Sequence, residues 1–156
     1  MAEGKKLTCL DCASVNRVPK DRLAAGSKCR TCGAKLMDGK VCELDPKALS
    51  KAKATDQLPI VVDSWAPWCG PCRMMAPEFS KAATAMGGEG RFAKINTEDY
   101  PKVSTVHGIR GIPLMIVFQN GKEIARQAGA IPATQIEGFV LSISVQNLPG
   151  FWGKQR

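Results

Sequence analysis

Cys69 and Cys72 stand two residues apart in the run Trp68-Cys69-Gly70-Pro71-Cys72. Two thiols at this spacing can close a small ring with each other, and the thiolate rather than the thiol is the species that attacks a disulfide. The stretch before them, Pro59 to Trp65, is apolar and strand-like; the stretch after them, Cys72 to Met86, is amphipathic and helical. That order predicts Cys69 at a helix N-terminus, where unpaired backbone N–H groups and the positive end of the helix dipole favour an anion. A nucleophilic thiolate at Cys69 and a resolving thiol at Cys72 are thus expected within one turn.

A second constellation precedes it. Cys9-x2-Cys12 and Cys29-x2-Cys32 repeat the same spacing with sixteen residues between the pairs. Two such knuckles suit a tetrahedral ion held by four sulfurs. Zinc is the expected ion, as one structural ion per chain; an S4 site also suits iron. With all four positions filled by protein, no position is open to substrate. Gly33 after Cys32 fits a turn that needs positive φ, whereas Ala13 after Cys12 fits it less well.

The chain has 156 residues, and 44% of them are hydrophobic, a globular composition. No apolar run approaches the ~18 residues of a membrane span, and Met1-Ala2-Glu3-Gly4-Lys5-Lys6 lacks the apolar core of a signal peptide. The expected setting is a reducing cytoplasm, with no membrane partner and a monomeric chain. Seven cysteines there point to metal binding or catalysis rather than to a disulfide framework. Residues 1–42 hold nine Lys/Arg against four Asp/Glu, out of a net charge of +8 for the whole chain. No aromatic residue is interleaved among them before Trp65, so a solvated face is the better reading than a nucleic-acid surface.

The elements that must position these cysteines are legible in outline. Residues 1–42 carry few large apolar side chains and need a metal staple to fold. They are expected to form a zinc-binding module. Residues 43–146 form a second domain. Asp45 caps a helix with Pro46 at its first position. Strands follow over Pro59–Trp65, Arg91–Asn96, Leu114–Gln119 and Glu123–Ala128, with Asn120-Gly121 as a hairpin turn. Helices cover Cys72–Met86, Tyr100–His107 and Ala133–Val145, with Pro77 inside the first of them. This order is α/β: a mixed sheet with helices on both faces. Residues 147–156 are an apolar tail expected to dock on the protein's own surface.

The run Val61-Val62-Asp63-Ser64-Trp65-Ala66-Pro67-Trp68-Cys69-Gly70-Pro71-Cys72 resembles the thioredoxin family. So does Gly108-Ile109-Arg110-Gly111-Ile112-Pro113, followed by Phe118-Gln119-Asn120-Gly121-Lys122. With the N-terminal quartet, the whole chain is similar to the second, zinc-containing type of bacterial thioredoxin. The resemblance implies the thioredoxin fold and a protein-disulfide reductase recharged by thioredoxin reductase with NADPH. It implies a catalytic set of Cys69, Cys72, Asp63 and Lys94. Asp63 matches the family's buried carboxylate, a base for Cys72 acting through water, and Lys94 matches a buried lysine that tunes it. Ile112-Pro113 matches a cis-proline loop, and Trp68, Gly70, Pro71, Gly111, Ile112, Pro113 and Gly129 would meet an extended substrate. The Gly70-Pro71 dipeptide goes with reductants of this fold.

Three positions depart from the family pattern: Leu114 after Pro113, Ser64 after Asp63, and Pro67 before Trp68. None removes a catalytic group. Leu114 is expected to make the substrate groove more apolar, and Ser64 to make room for a packing contact. A different class of function is a redox-regulated zinc sensor, in which oxidation of the quartet releases metal.

Overall fold

Runs of apolar residues that can be buried on both sides build the centre of the molecule. The computed structural model describes residues 4–23, 26–87 and 89–146; the apolar tail lies outside them. Its elements in chain order are strands β1 (Gly4–Thr8) and β2 (Val15–Pro19), a 3-10 turn (Lys20–Arg22), β3 (Cys42–Leu44), helix α1 (Pro46–Thr55), β4 (Ile60–Trp65) and α2 (Gly70–Ala85). Then follow β5 (Arg91–Asn96), α3 (Pro101–His107), β6 (Leu114–Gln119), β7 (Lys122–Ala128) and α4 (Ala133–Gln146). Five strands form one mixed sheet in the order β3-β5-β4-β6-β7. β3 and β4 both run parallel to β5, and the β4–β6 and β6–β7 pairs are antiparallel.

Alternation along β4 sorts its side chains between two cores. Ile60 and Val62 pack with Leu49 of α1, Val103 of α3, Ile95 and Ile116. Val61 packs on the other face with Met75 and Phe79 of α2, Phe92, Met115 and Ile136 of α4. Helices therefore cover both faces, as expected. Local chemistry sets the boundaries. The Asp45 side chain accepts a hydrogen bond from the Ala48 amide at 2.8 Å and caps α1. Asn120 (φ 54°) and Gly121 (φ 82°) both adopt positive φ, the hairpin turn that the Asn-Gly pair predicts. Among the described residues no helix is long and apolar enough to cross a membrane.

The N-terminal ribbon is an antiparallel β1–β2 hairpin followed by a second knuckle. Its small core contains Leu7, Val18 and Leu36 together with Leu58, a residue that belongs to the approach to β4. A buried ion pair fixes the ribbon to the sheet. The Arg91 Nη1 lies 2.7 Å from Asp56 Oδ2, with side chains 4% and 0% exposed. The Thr8 amide donates to Asp56 Oδ1 at 2.8 Å, and Arg91 Nη2 donates to the Thr8 carbonyl. Lys6 and Gln57 add a reciprocal pair, with the Lys6 amide donating to Gln57 Oε1 and the Gln57 amide to the Lys6 carbonyl. Burial pushes the Asp56 carboxyl up, and the Arg91 charge and Thr8 amide oppose that push. The strand residue next to the first zinc-type cysteine is thus held by a charge clamp on the central sheet.

Candidate active site and metal centre

Cys69 is the N-cap of α2, with Pro71 in the first turn. The Cys72 amide donates to Cys69 Sγ at 3.2 Å, so a free helix N–H is aimed at the sulfur. Cys69 and Cys72 form a disulfide. The two residues are 4% and 3% exposed, so burial does not distinguish them. Their surroundings do. Cys69 Sγ lies 3.7 Å from the Ile112 carbonyl oxygen. Cys72 lines a cavity of about 90 Å³ shared with Asp63, Trp65 and Lys94.

The Ile112–Pro113 peptide is cis. With Gly111, Ala128 and Gly129 it borders a groove of about 340 Å³. Gly129 has a φ of 88°, which a side chain would resist, and nothing stands where its Cβ would be. Trp68 is 67% exposed and forms an apolar prominence next to Cys69. Gly70 and Pro71 occupy the turn between the two sulfurs. Leu114 borders the groove but is buried in the core beside α1 and α3. Ser64 stands opposite it in the β4–β6 register. A small residue facing a larger one makes these two departures from the family pattern a matched pair.

Asp63 is buried in β4, and its Oδ1 has no hydrogen-bond partner among the described residues. Burial pushes its carboxyl up to about 7, against the opposing charge of Lys94 and with the help of Glu43. Lys94 departs from the buried lysine that the resemblance implies. Its side chain is 35% exposed and its Nζ lies 3.7 Å from Glu43 Oε1. Among the described residues only the three-residue edge strand β3 lies beyond β5 in the sheet, so the lysine's stem packs while its charge reaches solvent. Its ammonium sits 4.9 Å from the centre of the Trp65 ring.

At the other end, the four sulfurs of Cys9, Cys12, Cys29 and Cys32 lie within 4.8 Å of one another. Cys9 and Cys32 stand 3.5 Å apart and Cys12 and Cys29 3.6 Å. A tetrahedral ion with metal–sulfur bonds of ~2.3 Å needs sulfurs about 3.8 Å apart, so the quartet fits. None of the four is in a disulfide. The knuckles are near copies of each other. Cys9 N–H bonds the Ser14 carbonyl and Ala13 N–H the Cys9 carbonyl; Cys29 N–H bonds the Ala34 carbonyl and Gly33 N–H the Cys29 carbonyl. Ala13 has φ 67° where Gly33 has 82°. Asn16 joins the two, donating to Cys29 Sγ at 3.5 Å and accepting from the Arg30 amide at 3.0 Å. The Asn16 side-chain amide, with the backbone N–H groups of Cys32 and Thr31, holds the Cys29 thiol down to about 6.

Comparison with known proteins decides the family. The thioredoxin family model matches residues 40–142. The chain belongs to the thioredoxin family. The model of the N-terminal zinc ribbon of thioredoxin 2 matches residues 8–34. Thioredoxin C-3 of Corynebacterium nephridii is 35% identical over 134 residues, covering 86% of this chain and 92% of the relative. The thioredoxin of Haemophilus influenzae is 40% identical over 83 residues, 53% of this chain and 78% of the relative. A crystal structure of chloroplastic thioredoxin z superposes with a TM-score of 0.62 at 30% identity, covering 67% of this chain and 95% of that one. As a thioredoxin, this chain is a thiol–disulfide oxidoreductase. Its cysteine quartet is compatible with metal binding. Sequence reasoning missed four residues that support these sites: Asn16, Glu43, and Asp56 with Arg91. Each acts through a side chain that meets its partner only after folding.

Proposed function

We propose that this thioredoxin is a protein-disulfide reductase, with residues 1–42 as a structural zinc module and residues 43–146 as the redox domain. The observation that carries the reading is the helix-capping sulfur of Cys69 beside the cis Ile112–Pro113 peptide, with Cys72 turned to the cavity of Asp63. The Cys69 thiolate attacks one sulfur of a substrate disulfide; the other sulfur leaves as a thiolate and takes a proton from solvent. The Cys72 thiol gives its proton to Asp63 through water in the cavity, then attacks Cys69. The substrate's second sulfur leaves, and the protein holds the Cys69–Cys72 disulfide. Two electrons have passed from the dithiol to the substrate. Thioredoxin reductase is the partner expected to restore them.

Trp68, Gly70, Pro71, Gly111, Ile112, Pro113 and Gly129 form the surface for an extended segment of the substrate protein. The free backbone of Ile112 can pair with it as an added strand would. Cys9, Cys12, Cys29 and Cys32 hold the zinc ion, which supplies folding energy to the ribbon. A reducing cytoplasm keeps the quartet out of disulfides, and the bound ion holds the four sulfurs as thiolates. Insulin reduction tests the reading. Cys69→Ser is expected to abolish turnover, and Cys72→Ser to accumulate mixed disulfides. Full turnover by Cys69→Ser would refute it.

A further inference from the structure

Glu43, Lys94 and Asp63 occupy one row across three neighbouring strands. Glu43 of β3 is opposite Lys94 of β5, and Lys94 is opposite Asp63 of β4. Register-matched residues of adjacent strands share a face. One lysine therefore stands between two carboxylates. It is held by the outer one. Lys94 Nζ lies 3.7 Å from Glu43 Oε1, and no ion pair within 4.0 Å joins it to Asp63 among the described residues. The Trp65 indole N–H donates to Glu43 Oε2 at 3.2 Å and fixes the carboxylate. The Lys94 ammonium rests over the same ring. Asp63 Oδ1 is left without a partner.

We propose that Glu43 is a positioning residue: it holds Lys94 at the sheet edge and so leaves Asp63 able to take and return a proton beside Cys72 at neutral pH. The use of that proton rests on the role of Asp63 proposed above. Glu43 acts in two ways that point in one direction. Its charge opposes a second negative charge on Asp63, and its ion pair draws off the cation that would stabilise one. Lys94 lowers and Glu43 raises the Asp63 carboxyl, after the larger effect of burial. The other neighbours do not compete. Met115 and Gln127, next in the row on β6 and β7, carry no charge. On α2, Cys72 and Arg73 line the cavity, and the Arg73 guanidinium donates to the Pro67 carbonyl at 2.8 Å.

The test is an NMR titration of the Asp63 carboxyl carbon in the full-length, metal-loaded disulfide form. Glu43→Gln is expected to lower the midpoint by about half a unit to one unit. Glu43→Asp, which keeps the charge, should restore part of the wild-type value. Lys94→Met should raise the midpoint, and on that background Glu43→Gln should have a smaller effect, because the part that runs through the Lys94 ion pair is gone and only the direct charge of Glu43 remains. An unchanged midpoint in Glu43→Gln would overturn the proposal, as would an equal shift with and without Lys94. The pH profile of the resolving step, measured in a single turnover, keeps the two claims apart. An Asp63→Asn variant that resolves mixed disulfides at the wild-type rate would defeat the proposed base, while the role of Glu43 would still be decided by the titration.

Discussion

Three C-x-x-C pairs lie in this chain, and two of them do something different from the third. Around Cys9/Cys12 and Cys29/Cys32 the backbone turns back on itself, with Ala13 and Gly33 at positive φ directly after the second cysteine. Four sulfurs then converge within 4.8 Å. At Cys69/Cys72 the chain instead enters a helix, and the Cys72 amide meets the Cys69 sulfur. Here two sulfurs face each other, with a cis proline and a buried carboxylate nearby. The motif is the same; the path of the backbone through and after it selects the chemistry. A turn builds a cage, whereas a helix builds a single polarised sulfur.

Substitutions that cross this boundary should have the largest effect. Cys9→Ser or Cys29→Ser is expected to lose the bound metal entirely and to remove hydrogen-exchange protection from residues 1–40, whereas Cys69→Ser should keep one ion per chain. Metal analysis with exchange mass spectrometry checks both. Stoichiometric zinc retained in the two knuckle variants would break the comparison.

The next effect concerns the seam. Arg91→Met leaves Asp56 buried without its cation and should cost about 3–5 kcal/mol in urea unfolding. The double variant with Asp56→Asn should recover part of that loss. If Arg91→Met costs less than ~1 kcal/mol, the clamp is not what fastens ribbon to sheet.

Asp63 gives a stability effect with a defined sign. An unfolded aspartate titrates near ~3.9, and burial, opposed by Lys94, raises the folded one to about 7. Between these values the folded protein holds a proton that the unfolded chain has lost. Stability therefore falls as pH rises through this window and stays lower above it. Asp63→Asn should remove that fall, stabilising the protein by on the order of a few kcal/mol at about pH 8 and little at about pH 4. Parallel denaturation curves at both values measure it; equal gains at the two would contradict the burial of an ionising carboxyl.

The smallest effect sharpens the comparison of the knuckles. Ala13 adopts φ 67°, the conformation that Gly33 takes without strain in the other knuckle. Ala13→Gly should stabilise the metal-loaded ribbon by about 1 kcal/mol or less, since relief of the left-handed strain is offset by added freedom in the unfolded chain.

Much of this was legible in the residues. β5 and β6 were readable to the residue, and β4, β7, α3 and α4 to within one or two at an end: β4, β5, β6 and α4 from their apolar residues, and β7 from the Asn120-Gly121 turn before it. Cys69 caps α2, as its expected place at a helix N-terminus requires, so the helix starts at Gly70, two residues before the amphipathic run that begins at Cys72. β3 was not legible. It is three residues in a charged stretch, and pairing with β5 rather than any period of its own makes it a strand. That is also why no local signal marks Glu43 as a neighbour of Lys94. The β1–β2 hairpin was hidden for a similar reason, since the ribbon's apolar residues are few. Asp56 and Arg91 lie 35 residues apart, and no local pattern marks either as buried. Ser64 and Leu114 looked like two separate departures until the β4–β6 register placed them opposite each other.

The central claim is that electrons pass through one of the three pairs while the other two hold their ion. A redox titration of the whole protein, with alkylation and peptide mass analysis at each potential and zinc measured alongside, tests it most directly. The account predicts a single two-electron transition confined to the peptide carrying Cys69 and Cys72, with one zinc per chain retained across it. Oxidation of Cys9, Cys12, Cys29 or Cys32 at the same potential, with release of the metal, would contradict it and make the ribbon a redox sensor instead.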